Sequence, residues 1–126
     1  MWVADDDPIF RLILVMTIKK LNSDYVIKEH ENGDEVYSTI VDSIKNPAQF
    51  PKCLFIDINM PGMNGWKCLD KMKTLLSDYS GTLPKIYIIS SSIDPKDKLK
   101  ALSDSLTSGY LTKPISIETL RKILSN

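Results

Sequence analysis

The sequence predicts an α/β fold built on an open, doubly wound parallel sheet of five strands. Three observations predict it. Short β-rich runs alternate five times with longer stretches of helical spacing. Two of the runs, Leu54-Phe55-Ile56 and Ile86-Tyr87-Ile88-Ile89, are apolar almost without interruption. A strand buried on both faces reads this way, whereas a half-wet strand alternates. Helix-start signals also recur between the runs. Right-handed crossovers then put helices on both sides of the sheet, and ligands bind outside the carboxyl ends of the strands.

The first strand is expected at residues 2–4; only a few residues precede Asp5, so the strand is short or the chain has been trimmed. Asp7 before Pro8 supplies a side-chain acceptor at the N-cap and a ring without an N–H at the first helical position, so a helix starts there. A second strand is expected at residues 25–28, then a helix carrying Val36, Ile40 and Ile44 on one face. The segment Asn46-Pro47-Ala48-Gln49-Phe50-Pro51-Lys52 reads as a connector without assigned function. The third strand, at residues 53–58, precedes a helix with Trp66, Leu69, Met72 and Leu76 at three-and-four spacing. The fourth is expected at residues 85–89, and Asp94-Pro95 repeats the capping signal of Asp7-Pro8. The fifth is expected at residues 110–112, with Ile117, Leu120 and Leu124 lining the last helix.

A chain of 126 residues can bury one core without disulfides, so residues 1–126 are expected to form a single domain. Lysine plus arginine and aspartate plus glutamate each count 16, so no global field draws the chain to nucleic acid or to a membrane. No run has the length of a membrane span, and the start MWVADDD lacks the basic and apolar regions of a secretory signal. A cytoplasmic location is expected. Cys53 and Cys68 form no CxxC or Cys/His cluster and read as reduced core residues. Met60, Met63 and Met72 read as packing, and His30, in the polar tail of a strand, as exposed and not catalytic.

The strand-end rule selects Asp5, Asp6 and Asp7 after the first strand, Asp57 and Asn59 after the third, Ser90, Ser91 and Ser92 after the fourth, and Lys113 after the fifth. Asp7 is accounted for as a helix cap. Asp57 is harder to explain structurally, because a carboxylate following Leu54-Phe55-Ile56 suffers desolvation. Several carboxylates at close range call for a cation, and oxygen ligands without His or Cys favour magnesium, which keeps waters and accepts phosphate oxygens. A carboxylate can also be the nucleophile, forming an acyl phosphate while a metal, a lysine and hydroxyl donors spread the charge. Asp57, Lys113 and Ser90 are the residues suited to those roles.

Four segments carry a resemblance: Ala4-Asp5-Asp6-Asp7-Pro8, the run from Leu54 through Asp57-Ile58-Asn59-Met60-Pro61-Gly62-Met63-Asn64 to Gly65, Ser90-Ser91-Ser92, and Gly109-Tyr110-Leu111-Thr112-Lys113-Pro114. In this order and on these elements they resemble the receiver domain of two-component response regulators, the CheY-like family. The resemblance implies a flavodoxin-like sheet of strand order 2-1-3-4-5. It implies that Asp57 accepts a phosphoryl group from a sensor histidine kinase or a histidine phosphotransfer protein. Magnesium would be held by Asp6, Asp5, Asp57 and the backbone carbonyl of Asn59. Ser90, or Ser91 beside it, and Lys113 would contact phosphoryl oxygens, and Lys113-Pro114 would be a cis peptide. Ser90 and Tyr110 would form the switch, altering a surface of the fourth helix, fifth strand and fifth helix that binds a downstream protein.

The expected output is therefore protein binding rather than enzymatic turnover, since the length leaves no room for a DNA-binding module. One competing reading is a magnesium-dependent phosphohydrolase working through an aspartyl phosphate. It would want an acid–base carboxylate two residues past the nucleophile, where Asn59 stands. Another is a flavodoxin-like ligand binder, which would want a glycine-rich phosphate loop after the first strand.

Overall fold

The computed structural model describes residues 1–125. In chain order the elements are β1 (Trp2–Ala4), α1 (Pro8–Leu21), β2 (Lys28–His30), α2 (Gly33–Lys45), a 3-10 turn (Pro47–Gln49), β3 (Cys53–Asp57), α3 (Gly65–Leu75), β4 (Lys85–Ser90), α4 (Pro95–Ser103), β5 (Thr107–Thr112) and α5 (Ile117–Leu124). The five strands form one sheet in the order β2-β1-β3-β4-β5, with every pair parallel. The expected class and strand order both hold.

Side-chain alternation along the strands builds two cores. Trp2, Ala4, Leu54, Ile56, Ile86 and Ile88 face one way, against Val36 and Ile40 of α2, Leu69 and Met72 of α3, and Ala101 of α4. Val3, Phe55 and Ile89 face the other way, against Leu14 and Ile18 of α1 and Leu120 of α5. Both faces of β3 are covered, which is why its sequence is continuously apolar. Met60, Met63 and Met72 are buried, as are Cys53 and Cys68, whose thiols burial pushes up to about 12. Of the nine residues of α4 only Ala101 is buried, while Leu99 and Leu102 are exposed.

The caps form as expected. Asp7 accepts hydrogen bonds from the N–H groups of Ile9 and Phe10, and Asp94 from that of Lys96, each arrangement contributing about 1 kcal/mol to helix stability. Asn32, Asn64 and Ser116 cap α2, α3 and α5 in the same way.

Three expectations need correction. The second strand lies at Lys28–His30 and not at residues 25–28. The paired register runs from Trp2 opposite Lys28, and ahead of it the Met1 amine donates to the Val26 carbonyl; Tyr25 and Ile27 pack against the α1–α5 side, while Val26 is 82% exposed. His30 is buried, not exposed. It pairs with Ala4, its ring lies 5.3 Å from that of Trp2, and its Nε2 is 3.2 Å from Thr39 Oγ1. Burial lowers its pKa, disfavouring the imidazolium. Finally β5 begins at Thr107 and not at residue 110, because Ser108 and Gly109 hide a strand that pairs with β4 through a register shift.

Candidate functional site

Register brings the site together. Ala4 pairs with Ile56, so the next residues on β1 and β3, Asp5 and Asp57, emerge side by side. Asp57 pairs with Ile89, placing Ser90 one residue further along β4, and Ser90 pairs with Thr112, after which comes Lys113. The Lys113 N–H donates to the Ser90 carbonyl at 2.8 Å, and Lys113-Pro114 is cis.

Asp5, Asp6 and Asp57 each offer a carboxylate oxygen within 4.8 Å of the others, and among the described residues they are the one such group of potential metal ligands. Asp5 is wholly buried, Asp57 is 4% exposed, and Asp6 is open to solvent. Asp5 is fixed on every side. Its N–H donates to the His30 carbonyl, its Oδ1 accepts from Asp7 N–H at 2.9 Å, and its Oδ2 lies 2.6 Å from Lys113 Nζ. Lys113 Nζ also stands 3.5 Å from Asp57 Oδ2. One ammonium thus faces two buried carboxylates, with the third, Asp6, grouped beside them.

That imbalance shows in Asp57. Burial first, and then the Asp5 charge, push its pKa up to about 6, against the opposing pull of Lys113 and a hydrogen bond from the Asn59 backbone N–H. The folded value lies above the unfolded one of 3.8, so ionised Asp57 weakens the fold. The penalty is absent below pH 3.8 and complete once the pH has passed about 6. Without magnesium, Asp57→Asn is therefore expected to be more stable than wild type by about 3 kcal/mol at pH 7. The advantage should vanish toward pH 4, and urea titrations at the two pH values measure it. A variant no more stable at pH 7 would mean that charge crowding at Asp57 is small.

The loop after β3 is shaped by two glycines. Gly62 has φ +70°, in the left-handed region, so it turns the chain after Pro61 at no steric cost. A Cβ on Gly65 would collide with the Asp57 carbonyl oxygen; the Gly65 N–H donates to the Ile58 carbonyl at 2.9 Å. The glycine therefore lets α3 start directly against the strand end that carries Asp57. Asn59 is exposed in this loop.

Ser90 is fully buried, and its Oγ accepts from the Ser92 N–H at 3.0 Å; Ser91 is exposed. Tyr110 is half-buried against the α2–α3–α4 core, and its hydroxyl donates to the Ser92 carbonyl at 2.8 Å. Ser92 Oγ in turn donates to Asp97 Oδ2 at 2.7 Å in the first turn of α4. Ser90, Tyr110 and α4 thus meet at Ser92.

Two site residues escape sequence reasoning. Arg11 Nη1 donates to the Asp5 carbonyl at 2.6 Å while Nε reaches Glu29 at 3.2 Å, tying the β1–α1 loop to β2. Phe10 places its ring 4.2 Å from Lys113 Nζ. Both lie three or four residues past the Asp7 cap, on the helical turn that faces back to the strand ends, and that spacing is the available signal. Elsewhere, a cavity of about 520 Å³ lined by Tyr25, Phe50, Cys53, Leu83 and Leu124 opens at the amino ends of β3 and β4, away from the carboxylates. Among the described residues no helix is long and apolar enough to cross a membrane.

A five-stranded sheet in this order, with carboxylates grouped at its carboxyl edge, defines a CheY-like signalling domain. The chain belongs to the response regulator receiver domain family, which it matches over residues 1–125. Among curated proteins it is 32% identical over 122 residues to the nitrate/nitrite response regulator protein NarL of Escherichia coli, covering 97% of this chain and 51% of that protein. It is 28% identical over 123 residues to the sensory transduction protein LytT of Bacillus subtilis, covering 97% of this chain and 45% of that protein. The chain spans about half the length of these curated relatives. A two-component response regulator structure from Cytophaga hutchinsonii superposes with a TM-score of 0.82 at 25% identity, over 98% of this chain and 92% of that one. A receiver domain co-crystallised with a Saccharomyces cerevisiae histidine phosphotransfer signaling protein gives a TM-score of 0.82 at 21% identity, over 98% and 84% of the two chains.

Proposed function

We propose that this chain accepts a phosphoryl group on Asp57 from a phosphohistidine, in a magnesium-dependent reaction, and changes a protein-binding surface in response. The observation that carries the reading is the Asp57 carboxylate: nearly buried at the end of β3, crowded by Asp5, and 3.5 Å from a single lysine. In the transfer, a carboxylate oxygen of Asp57 forms a bond to phosphorus while the bond from phosphorus to the histidine nitrogen breaks, its electron pair staying on the imidazole. Asp57 needs no base for this, since it attacks as the carboxylate.

Asp5, Asp6 and Asp57 fit a magnesium ion, because the donors are hard oxygens and the cluster holds more negative charge than Lys113 offsets, and the Asn59 backbone carbonyl would add a further oxygen. When bound, magnesium supplies the positive charge that lets carboxylates and phosphoryl oxygens share the site. Lys113 contributes a movable ammonium to the phosphoryl oxygens and Ser90 a hydroxyl. Drawing the Ser90 hydroxyl toward Asp57 gives up its bond from Ser92, which loosens the hold of Ser92 on Tyr110 and on Asp97. The signal then passes to α4, β5 and α5 and to a downstream protein. On this reading the domain acts in the cytoplasm as a single receiver unit and assists its own phosphorylation without turning over an external substrate.

The donor's docking surface lies beside the site. Ile9, Leu12, Ile13 and Met16 of α1 are 55–68% exposed at helical spacing, and the helix that carries them begins three residues after Asp5. An apolar helical stripe of this kind suits the helices of a phosphohistidine-bearing bundle.

The reading is tested by intact-mass measurement after treatment with acetyl phosphate, with and without magnesium. A companion variant, Lys113→Ala, is expected to lose the conformational response to phosphorylation. The response is read by Trp66, which contacts Lys100 of α4 at 4.6 Å. A full Trp66 fluorescence change in Lys113→Ala would remove Lys113 from the switch.

A further inference from the structure

We infer that Phe10 is a positioning residue for phosphoryl transfer, acting through Lys113. The inference rests on the phosphoacceptor reading above and adds a residue to it. Lys113 Nζ meets three groups: Asp5 Oδ2 at 2.6 Å, Asp57 Oδ2 at 3.5 Å and the face of the Phe10 ring at 4.2 Å from its centroid. The lysine side chain is 16% exposed, so the ring contact is largely shielded from water, the condition under which a cation–π attraction is strongest.

The chemistry explains why a ring serves here. Lysine is a flexible chain bearing a compact ammonium, and unequal carboxylates pull that ammonium toward the nearer one, Asp5. A third carboxylate would compete for the N–H donors. An aromatic face attracts the charge through its quadrupole yet takes up no strong hydrogen bond. It therefore limits where Nζ can go while leaving its donors for Asp57 and for phosphoryl oxygens arriving there.

The placement of Phe10 is built into the fold. Its N–H donates to the Asp7 cap at 3.3 Å, and its side chain packs on the core that contains Phe55 and Ile89. The ring is thus supported by the sheet and by the first turn of α1, the same turn that follows Asp5 and Asp6. The ring faces the ammonium of Lys113 and offers no metal-ligating atom, so its effect should fall on the transfer rate and not on metal affinity.

The test compares phosphorylation rates at saturating magnesium, with acetyl phosphate as donor, in wild type, Phe10→Leu, Phe10→Trp and chains carrying increasingly fluorinated phenylalanine at position 10. Phe10→Leu is expected to react about five-fold more slowly, Phe10→Trp within about two-fold of wild type, and the fluorinated series progressively more slowly. Thermal melts should show the fluorinated chains as stable as wild type. Because fluorination weakens the quadrupole with little change of shape, a purely packing role would leave that series flat. Equal rates throughout, with Asp57-dependent phosphorylation intact in wild type, would overturn the role of Phe10 alone. A wild type that takes up no phosphate at Asp57 would overturn the phosphoacceptor reading and this inference together.

Discussion

Incubated with acetyl phosphate and magnesium, the wild-type chain is expected to gain one phosphoryl group, and Asp57→Asn none. The effect should be all-or-none, because asparagine keeps the shape and the hydrogen-bonding size of the side chain but its amide is no nucleophile toward phosphorus. Structure cannot be the reason for the loss. The same substitution relieves carboxylate crowding, and the variant should be the more stable protein at neutral pH. The modification should be labile to hydroxylamine, as an acyl phosphate is, and should disappear when magnesium is chelated. Equal phosphate gain on both proteins would move the acceptor away from Asp57.

The second large effect concerns the donor. Ile13→Glu, in the middle of the exposed α1 stripe, is expected to slow transfer from a phosphorylated histidine phosphotransfer protein by roughly 30-fold, the size of an interface hot spot. It should leave the acetyl phosphate rate as in wild type. Ile13 is 57% exposed and its replacement is a good helix former, so stability should move by less than about 0.5 kcal/mol. The ratio of the two rates separates docking from chemistry. Both rates falling together would place the defect in the site, and neither falling would place the donor on another face.

Much of this was legible in the sequence because it rests on local rules. The caps at Asp7 and Asp94 depend on side chains reaching the next few N–H groups, and the covered strands β3 and β4 reveal themselves by unbroken apolarity. Once a parallel sheet is accepted, the residues at the strand ends follow, and register does bring Asp5, Asp57, Ser90 and Lys113 to one edge. What escaped depends on partners distant in sequence. The position of β2 is dictated by where β1 begins, so an apolar run at residues 25–28 pointed to the wrong residues. His30 looked polar and exposed because nothing local announces that Trp2 and α2 cover it. Arg11 and Phe10 look like ordinary helix residues, and their reach to Asp5 and Lys113 appears only when the first turn of α1 is folded over the strand ends.

The thin anchoring of α4 has a mechanical consequence. With a single alanine methyl group sunk into the core, displacing this helix uncovers little apolar surface, at a cost of about 1 kcal/mol. Its far end is moored more firmly, since Asp104 just beyond the last turn holds Lys73 of α3 at 2.6 Å. The helix is thus held by polar contacts at its two ends, Ser92 with Asp97 at the start and Lys73 with Asp104 past the last turn, and only lightly by apolar packing between them. Under the switch proposed above, a shift of Ser92 would carry the start of α4 with it through Asp97 while costing little buried apolar area.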